Sequence, residues 1–228
     1  MLYNIQAVRD NLRNRDGKRV FYLDKGDQLT SDAKDFLTRE RIEVLPASQA
    51  KPERYRLLTG GFLEEKPEYM THLNGDVLVE KTHPRIVFRG ALDLLEAELL
   101  LCQEKESEPL RGQLGELLDL VRQLIRCDVL EQAVPEGKLW GLTEAELRSR
   151  SHRPQDYYGQ PHFMPQVTDG TRVLGLNRAR CVARQAELAA VQAFRNRDGI
   201  PTRPDILRSL NRVSSAIYLL MIQCKVRG

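Results

Sequence analysis

The stretch "PLRGQLGELLDLVRQLIRCDVLEQ", residues 109–132, does most to limit what this chain can fold into. Leu110, Leu114, Leu117, Val121 and Leu124 follow one another at spacings of four and three. That places them on one face of a helix, and a strand's period of two would scatter them over both faces. An apolar stripe of that length has to be covered by other helices. Partners are easy to find. "RIVFRGALDLLEAELLLCQEKE" reads as a second long helix. Another spans about 172 to 195, and a fourth starts at "TRPDILRSL" and runs to about 224. In that last helix Pro204 occupies the first turn and Asp205 complements the helix dipole. "LTEAELRSRSH" opens with a capping box, Thr143 to Glu146, and is short. The fold class expected is all-α: a five-helix bundle of four long helices and a short one, with a small N-terminal α/β extension.

The extension is residues 1–45. There "RVFYLDKGD" has β-forming residues before a turn, and "LTSDAKDFLTRERIEVL" starts a helix at Thr30 or Ser31 and ends in a strand. Residues 46–69, rich in Pro, Gly and charge, read as a linker or arm, and residues 70–228 as the bundle domain. The 228 residues include 35 basic and 32 acidic side chains, a net charge of +3 that gives no footprint for nucleic acid. The four cysteines are far apart and read as free thiols in a reducing cytoplasm. The longest late apolar run, "AIYLLMI", is too short to cross a bilayer. A soluble, cytoplasmic protein without nucleic-acid or membrane partners is expected.

Polar residues interrupt the helices near their middles. Asp93 sits inside "ALDLLEAEL", and Asp128 continues the leucine seam. Asn177, Arg180, Arg184 and Glu187 form a stripe, and Asn211, Ser214, Ser215 and Tyr218 share a face of the last helix. A charge facing a bundle interior has to be paired, and Asp93 with Arg184 is the natural couple from separate helices. The plainer reading makes these stripes solvated faces with weak surface ion pairs.

The same residues carry a family resemblance. "RCVARQAE" (180–187) resembles the Arg-x-x-x-Arg-Arg-Ala-Glu helix of the ATP:corrinoid adenosyltransferases of the propanediol-utilisation type, and "LNRVSSAIY" their last helix. "KTHPRIVFRGALDLLEAEL" is similar to their first. The blocks "RCDVLEQ", "GLTEAELRSRSHRP" and "RPDILRSLNRVSSAIYLLMI" look like the ethanolamine-utilisation type, and the resemblance covers roughly residues 66 to 224.

The resemblance implies transfer of the 5′-deoxyadenosyl group of ATP to cob(I)alamin, giving adenosylcobalamin and triphosphate. It also implies a homotrimer with sites between subunits, Mg²⁺ carried with ATP, cobalamin as substrate, an external flavin-type reductant and association with a bacterial microcompartment. By position, Arg184, Asp93 and Arg180 would be catalytic, with Asp93 salt-bridged to Arg184. Lys81, Arg180, Arg184, Glu187 and Asn211 would bind ATP, with Thr71, Asn74 and Gly75 of "THLNGD" as the remnant of a nucleotide loop. Phe163, or His162 beside it in "HFMP", would bind the corrinoid from below. Gln185 stands where the motif has its second Arg and Ser215 where it has Asp, so Arg178 or Arg85 would have to compensate. Some ethanolamine-type members carry a cysteine cluster before the bundle; none stands here, and no structural zinc or iron is expected. The rival class is a non-catalytic corrinoid carrier or helical scaffold protein of a microcompartment.

Overall fold

Strands organise the first 83 residues of the computed structural model, which describes residues 1–15, 17–50 and 55–227. The chain divides into two units, Met1–His83 and Pro84–Gly228. The first runs β1 (Leu2–Tyr3), α1 (Ile5–Asp10), β2 (Arg13–Arg15), β3 (Lys18–Leu23), β4 (Gln28–Leu29), α2 (Ser31–Arg39) and β5 (Glu43–Pro46). It continues with β6 (Tyr55–Leu57), β7 (Phe62–Leu63), β8 (Met70–Asn74) and β9 (Val77–Glu80). Seven strands form one mixed sheet in the order β5-β3-β2-β7-β6-β9-β8, and β1 pairs with β4 in a two-stranded one.

The expectation of an all-α chain is therefore overturned: with a seven-stranded mixed sheet ahead of its helices, the chain is α/β. The reason lies in strand length and pairing. β7 has two residues and β2 and β6 three, too few for alternation to register. Their partners come from afar, with Arg13 opposite Phe62 and Arg56 opposite Val77, both in parallel register. The segment read as a linker, 46–69, contributes β6 and β7 to the middle of the sheet; its residues 51–54 lie outside the described residues. Gly61 makes the β6–β7 turn workable. Its φ is +87°, and a Cβ there would sit 2.5 Å from the Leu12 carbonyl oxygen, which accepts a hydrogen bond from the Phe62 N–H.

Helix α2 starts where the sequence places it, with the Thr30 side chain accepting from the Ala33 N–H. It buries Ala33, Phe36 and Leu37 in a small core with Val8, Phe21 and Ile42.

In the second unit the elements are α3 (Pro84–Gln103), α4 (Leu110–Val129), α5 (Glu144–His152), α6 (Pro154–Tyr158), α7 (Gly170–Ala193) and α8 (Pro204–Arg227). Helix α7 packs against both α3 and α8, α4 against α3, and α5 against α8. The α4 seam is buried from Leu114 through Leu117, Val121 and Leu124 to Asp128. Helix α8 is apolar all round from Ala216 to Ile222 and is accordingly enclosed. The Thr143–Glu146 capping box opens α5. Among the described residues no helix is long and apolar enough to cross a membrane.

Of the buried acids described in this unit, Glu98 is 5% exposed and Asp128 is 0% exposed. Its Oδ1 accepts from Arg85 Nε at 2.9 Å and its Oδ2 from Arg89 Nε at 2.6 Å, while its carbonyl accepts from Arg85 Nη2 at 2.7 Å. Two guanidinium groups from α3 thus clasp one carboxylate on α4. Nearby, Asp205 receives Arg203 through both oxygens and the Val134 N–H at 2.9 Å, fastening the start of α8 to the segment after α4.

Removing the Asp128 carboxylate takes the matching charge from the largely buried Arg89 and an acceptor from Arg85, which keeps Glu131. Asp128→Ala should cost roughly 3–5 kcal/mol, measured by urea denaturation. Burial would raise the Asp205 carboxyl, but the Arg203 guanidinium and the Val134 N–H outweigh it and hold it at about 2. Its depressed value means that the stabilisation is complete above the ordinary aspartate range, about pH 4, and fades as pH falls through its folded value. Asp205→Asn should flatten the loss of stability across that window in acid titrations followed by circular dichroism.

Candidate functional site

Along α7 the buried seam is Ala179, Ala183, Ala186 and Ala190, all at 0% exposure. Arg180, Arg184 and Glu187 each follow a seam residue by one position, about 100° around the helix, so they emerge along its flank. Helix α8 repeats the pattern, with Asn211, Ser214 and Tyr218 each one position after Leu210, Val213 and Ile217. The two flanks adjoin, and Asn211 Nδ2 donates to Glu187 Oε1 at 3.1 Å across the gap. Arg180, Arg184, Glu187 and Asn211 line one depression of about 420 Å³. Asn211 is steadied further by a hydrogen bond from Arg212.

Arg180 also borders a second pocket of about 720 Å³, between α7, α8 and the 162–165 segment. Its guanidinium carbon lies 5.2 Å from the centroid of the Tyr218 ring, close enough for a cation–π contact. His162 and Phe163 both stack on Tyr218, at 5.6 and 6.0 Å between centroids. Ser214, at the boundary, lines both cavities, so the depression and the aromatic pocket are neighbours with Arg180 and Ser214 between them.

Asp93 does not join this group. Helix α3 buries Phe88, Leu92, Leu95 and Leu99, and Asp93, one residue past Leu92, points out from that seam and is exposed. Arg184 is exposed as well, and among the described residues neither makes a hydrogen bond or ion pair within the chain. The inward Asp93–Arg184 couple expected from burial is thus absent, because the helix phase turns both outward. The buried couple is the Asp128 clasp instead. The two arginines expected to compensate for Gln185 are committed elsewhere: Arg178 pairs with Glu98 at 2.7 Å and Arg85 with Asp128.

Lys81, Thr71, Asn74 and Gly75 belong to the first unit. Thr71 and Asn74 lie in β8, Gly75 makes the turn into β9 with φ +48°, and Lys81 follows β9 with its side chain exposed. Among the described residues no group of three or more His, Cys, Asp or Glu side chains gathers as a metal site would require. Tyr218 is the site residue that sequence reasoning passed over. The sequence places it on a shared face with Asn211, Ser214 and Ser215, but nothing in the local pattern announces that an arginine and two loop side chains gather on its ring.

Comparison with known proteins places the chain in a family. The family model described as cobalamin adenosyltransferase matches residues 62–224. The corrinoid adenosyltransferase EutT of Salmonella typhimurium is 32% identical over 216 residues, covering 95% of this chain and 80% of the relative. EutT of Escherichia coli K12 is 29% identical over the same shares. Among solved structures, a variant PduO-type ATP:corrinoid adenosyltransferase from Lactobacillus reuteri, complexed with cobalamin and ATP, superposes with a TM-score of 0.54. It is 17% identical, covers 70% of this chain and 91% of that one, and speaks for the fold alone. With a family model matching well over half its length, and with its arginine–glutamate flank set beside an aromatic pocket, this chain belongs to the cobalamin adenosyltransferase family.

Proposed function

We propose that this chain transfers the 5′-deoxyadenosyl group of ATP to the cobalt of a reduced corrinoid. The observation that carries the reading is the adjacency of two unlike cavities sharing Arg180, one lined by cations, a carboxylate and an amide, the other by aromatic rings. Nucleotide phosphates suit the first and a flat macrocycle the second. The electron pair of Co(I) attacks C5′, the carbon–oxygen bond breaks, and the triphosphate leaves with that bond's electrons. Arg180 and Arg184 meet its growing charge, a stabilisation worth most when the cations are fixed in advance. Glu187 and Asn211, bonded to each other, orient the nucleoside portion. Mg²⁺ arrives as part of the nucleotide substrate. Cobalt supplies the nucleophile, so the protein has to bind, align and exclude water. Lys81, Thr71, Asn74 and Gly75 are assigned to the phosphate side of the nucleotide through their match to the family's motifs.

The exposed Asp93 and Arg184 are assigned to each other across a subunit boundary in a homotrimer. Two observations support self-association. Val87, Leu94 and Leu101 are exposed at heptad spacing on α3, and Leu188 and Val191 are exposed beside Arg184 on α7. Apolar area of that kind seeks cover. A flavin-type reductant outside the chain supplies the electron, and the product serves ethanolamine utilisation in the cytoplasm, in association with a microcompartment.

Anaerobic assay with chemically reduced cobalamin and MgATP, followed by the corrinoid spectrum, tests the reading. The parent should form adenosylcobalamin, and Arg184→Ala should lose roughly a hundredfold or more in kcat/KM. A parent that leaves the spectrum unchanged would overturn it. Asp93→Lys should break the trimer in sedimentation runs, and Asp93→Lys with Arg184→Asp should restore the assembly without the activity.

A further inference from the structure

The aromatic pocket holds a hydrogen-bonded chain that settles what its histidine can do. The His162 ring lies parallel to Tyr218 within 11°. Its Nε2 is 3.2 Å from the His152 carbonyl oxygen and its Nδ1 is 3.2 Å from the Tyr218 hydroxyl. A carbonyl only accepts, so Nε2 carries the proton. In the neutral ring Nδ1 then accepts, and the Tyr218 hydroxyl donates to it. The same hydroxyl accepts from the Phe163 N–H at 3.2 Å. The hydroxyl thus serves once as donor and once as acceptor.

Phe163 is seated by the same partners. Its backbone is fixed by Tyr218, its ring lies 25° from parallel to the tyrosine ring, and Lys225 Nζ stands 4.8 Å from its centroid. Lys225 is ion-paired with Asp169.

We propose that His162 is a positioning residue that holds Phe163 against the pocket through Tyr218, and that it does not ligate cobalt. This rests on the corrinoid reading of the pocket. A metal ligand must present a lone pair, which Nε2–H lacks and which Nδ1 directs at Tyr218. The bound corrinoid therefore meets the apolar ring of Phe163, and His162 acts at one remove.

The probe is Co(II)cobinamide, which has no appended base, so an axial nitrogen splitting in its electron paramagnetic resonance spectrum comes from the protein. With full-length protein and saturating MgATP, the expected spectrum shows no axial nitrogen splitting. A splitting that disappears in His162→Ala would overturn the proposal. In steady-state assays His162→Ala and Tyr218→Phe should each raise the corrinoid KM about tenfold, with the MgATP KM unchanged, as befits the loss of one or two hydrogen bonds. His162→Asn, whose amide oxygen replaces the Nδ1 acceptor, should recover most of that loss. An Asn variant as impaired as the Ala variant, or an effect on kcat alone, would overturn the positioning role. Equilibrium dialysis separates the two levels. Cobinamide retained by the parent but split by nitrogen removes only this inference, whereas cobinamide not retained removes the corrinoid reading and the inference with it.

Discussion

The smallness of alanine along α7 is the constraint from which the rest of the second unit follows. Ala179, Ala183, Ala186 and Ala190 let the helix lie close to its neighbours α3 and α8. Close packing leaves no room for long side chains on that seam. The adjacent flank, one residue on, is where length is tolerated, and it carries Arg180, Arg184 and Glu187. Helix α8 answers with the same offset, which brings Asn211 within hydrogen-bonding distance of Glu187. Were leucines to replace those alanines, the flanks would move apart and the polar contact between them would be lost.

Arginines in this unit differ in what their charge meets. Arg85, Arg89 and Arg203 are largely withdrawn from water and spend their donors on Asp128, Asp205 and backbone carbonyls. They hold helix ends together. Arg184 is exposed, and Arg180 touches only an aromatic face among the contacts described, so neither has its charge matched by a carboxylate within the chain. A cation left unmatched beside a cavity is free to meet a ligand's anion, whereas one already clasped is not. That distinction also removes Arg178 and Arg85 as substitutes for the arginine that Gln185 displaces.

Much of the second unit was legible in the sequence because its signals are long. Twenty-residue helices repeat their apolar positions often enough to be read, and the leucine seam of α4 leads to Asp128 without a break. What failed was a matter of one residue: Asp93 sits next to Leu92 in sequence, and a helix turns that single step into the difference between core and solvent. The sheet of the first unit failed for the opposite reason. Strands of two or three residues carry no period, and parallel pairing between segments about fifty residues apart, Arg13 with Phe62, leaves no local trace. The role of Tyr218 was hidden in the same way, since its partners His162 and Phe163 arrive from a loop more than fifty residues earlier.

Asn211 and Tyr218 stand seven residues apart on the same helix, about 10 Å along its axis. That helix is a rigid ruler graduated at both cavities, one mark touching the carboxylate flank and the other gripping the loop. Sliding it by even a fraction of a turn would displace both marks together and never one against the other. The span between the two cavities is thus built into a single piece of backbone, and the chain can lengthen or trim its loops in evolution without changing that distance.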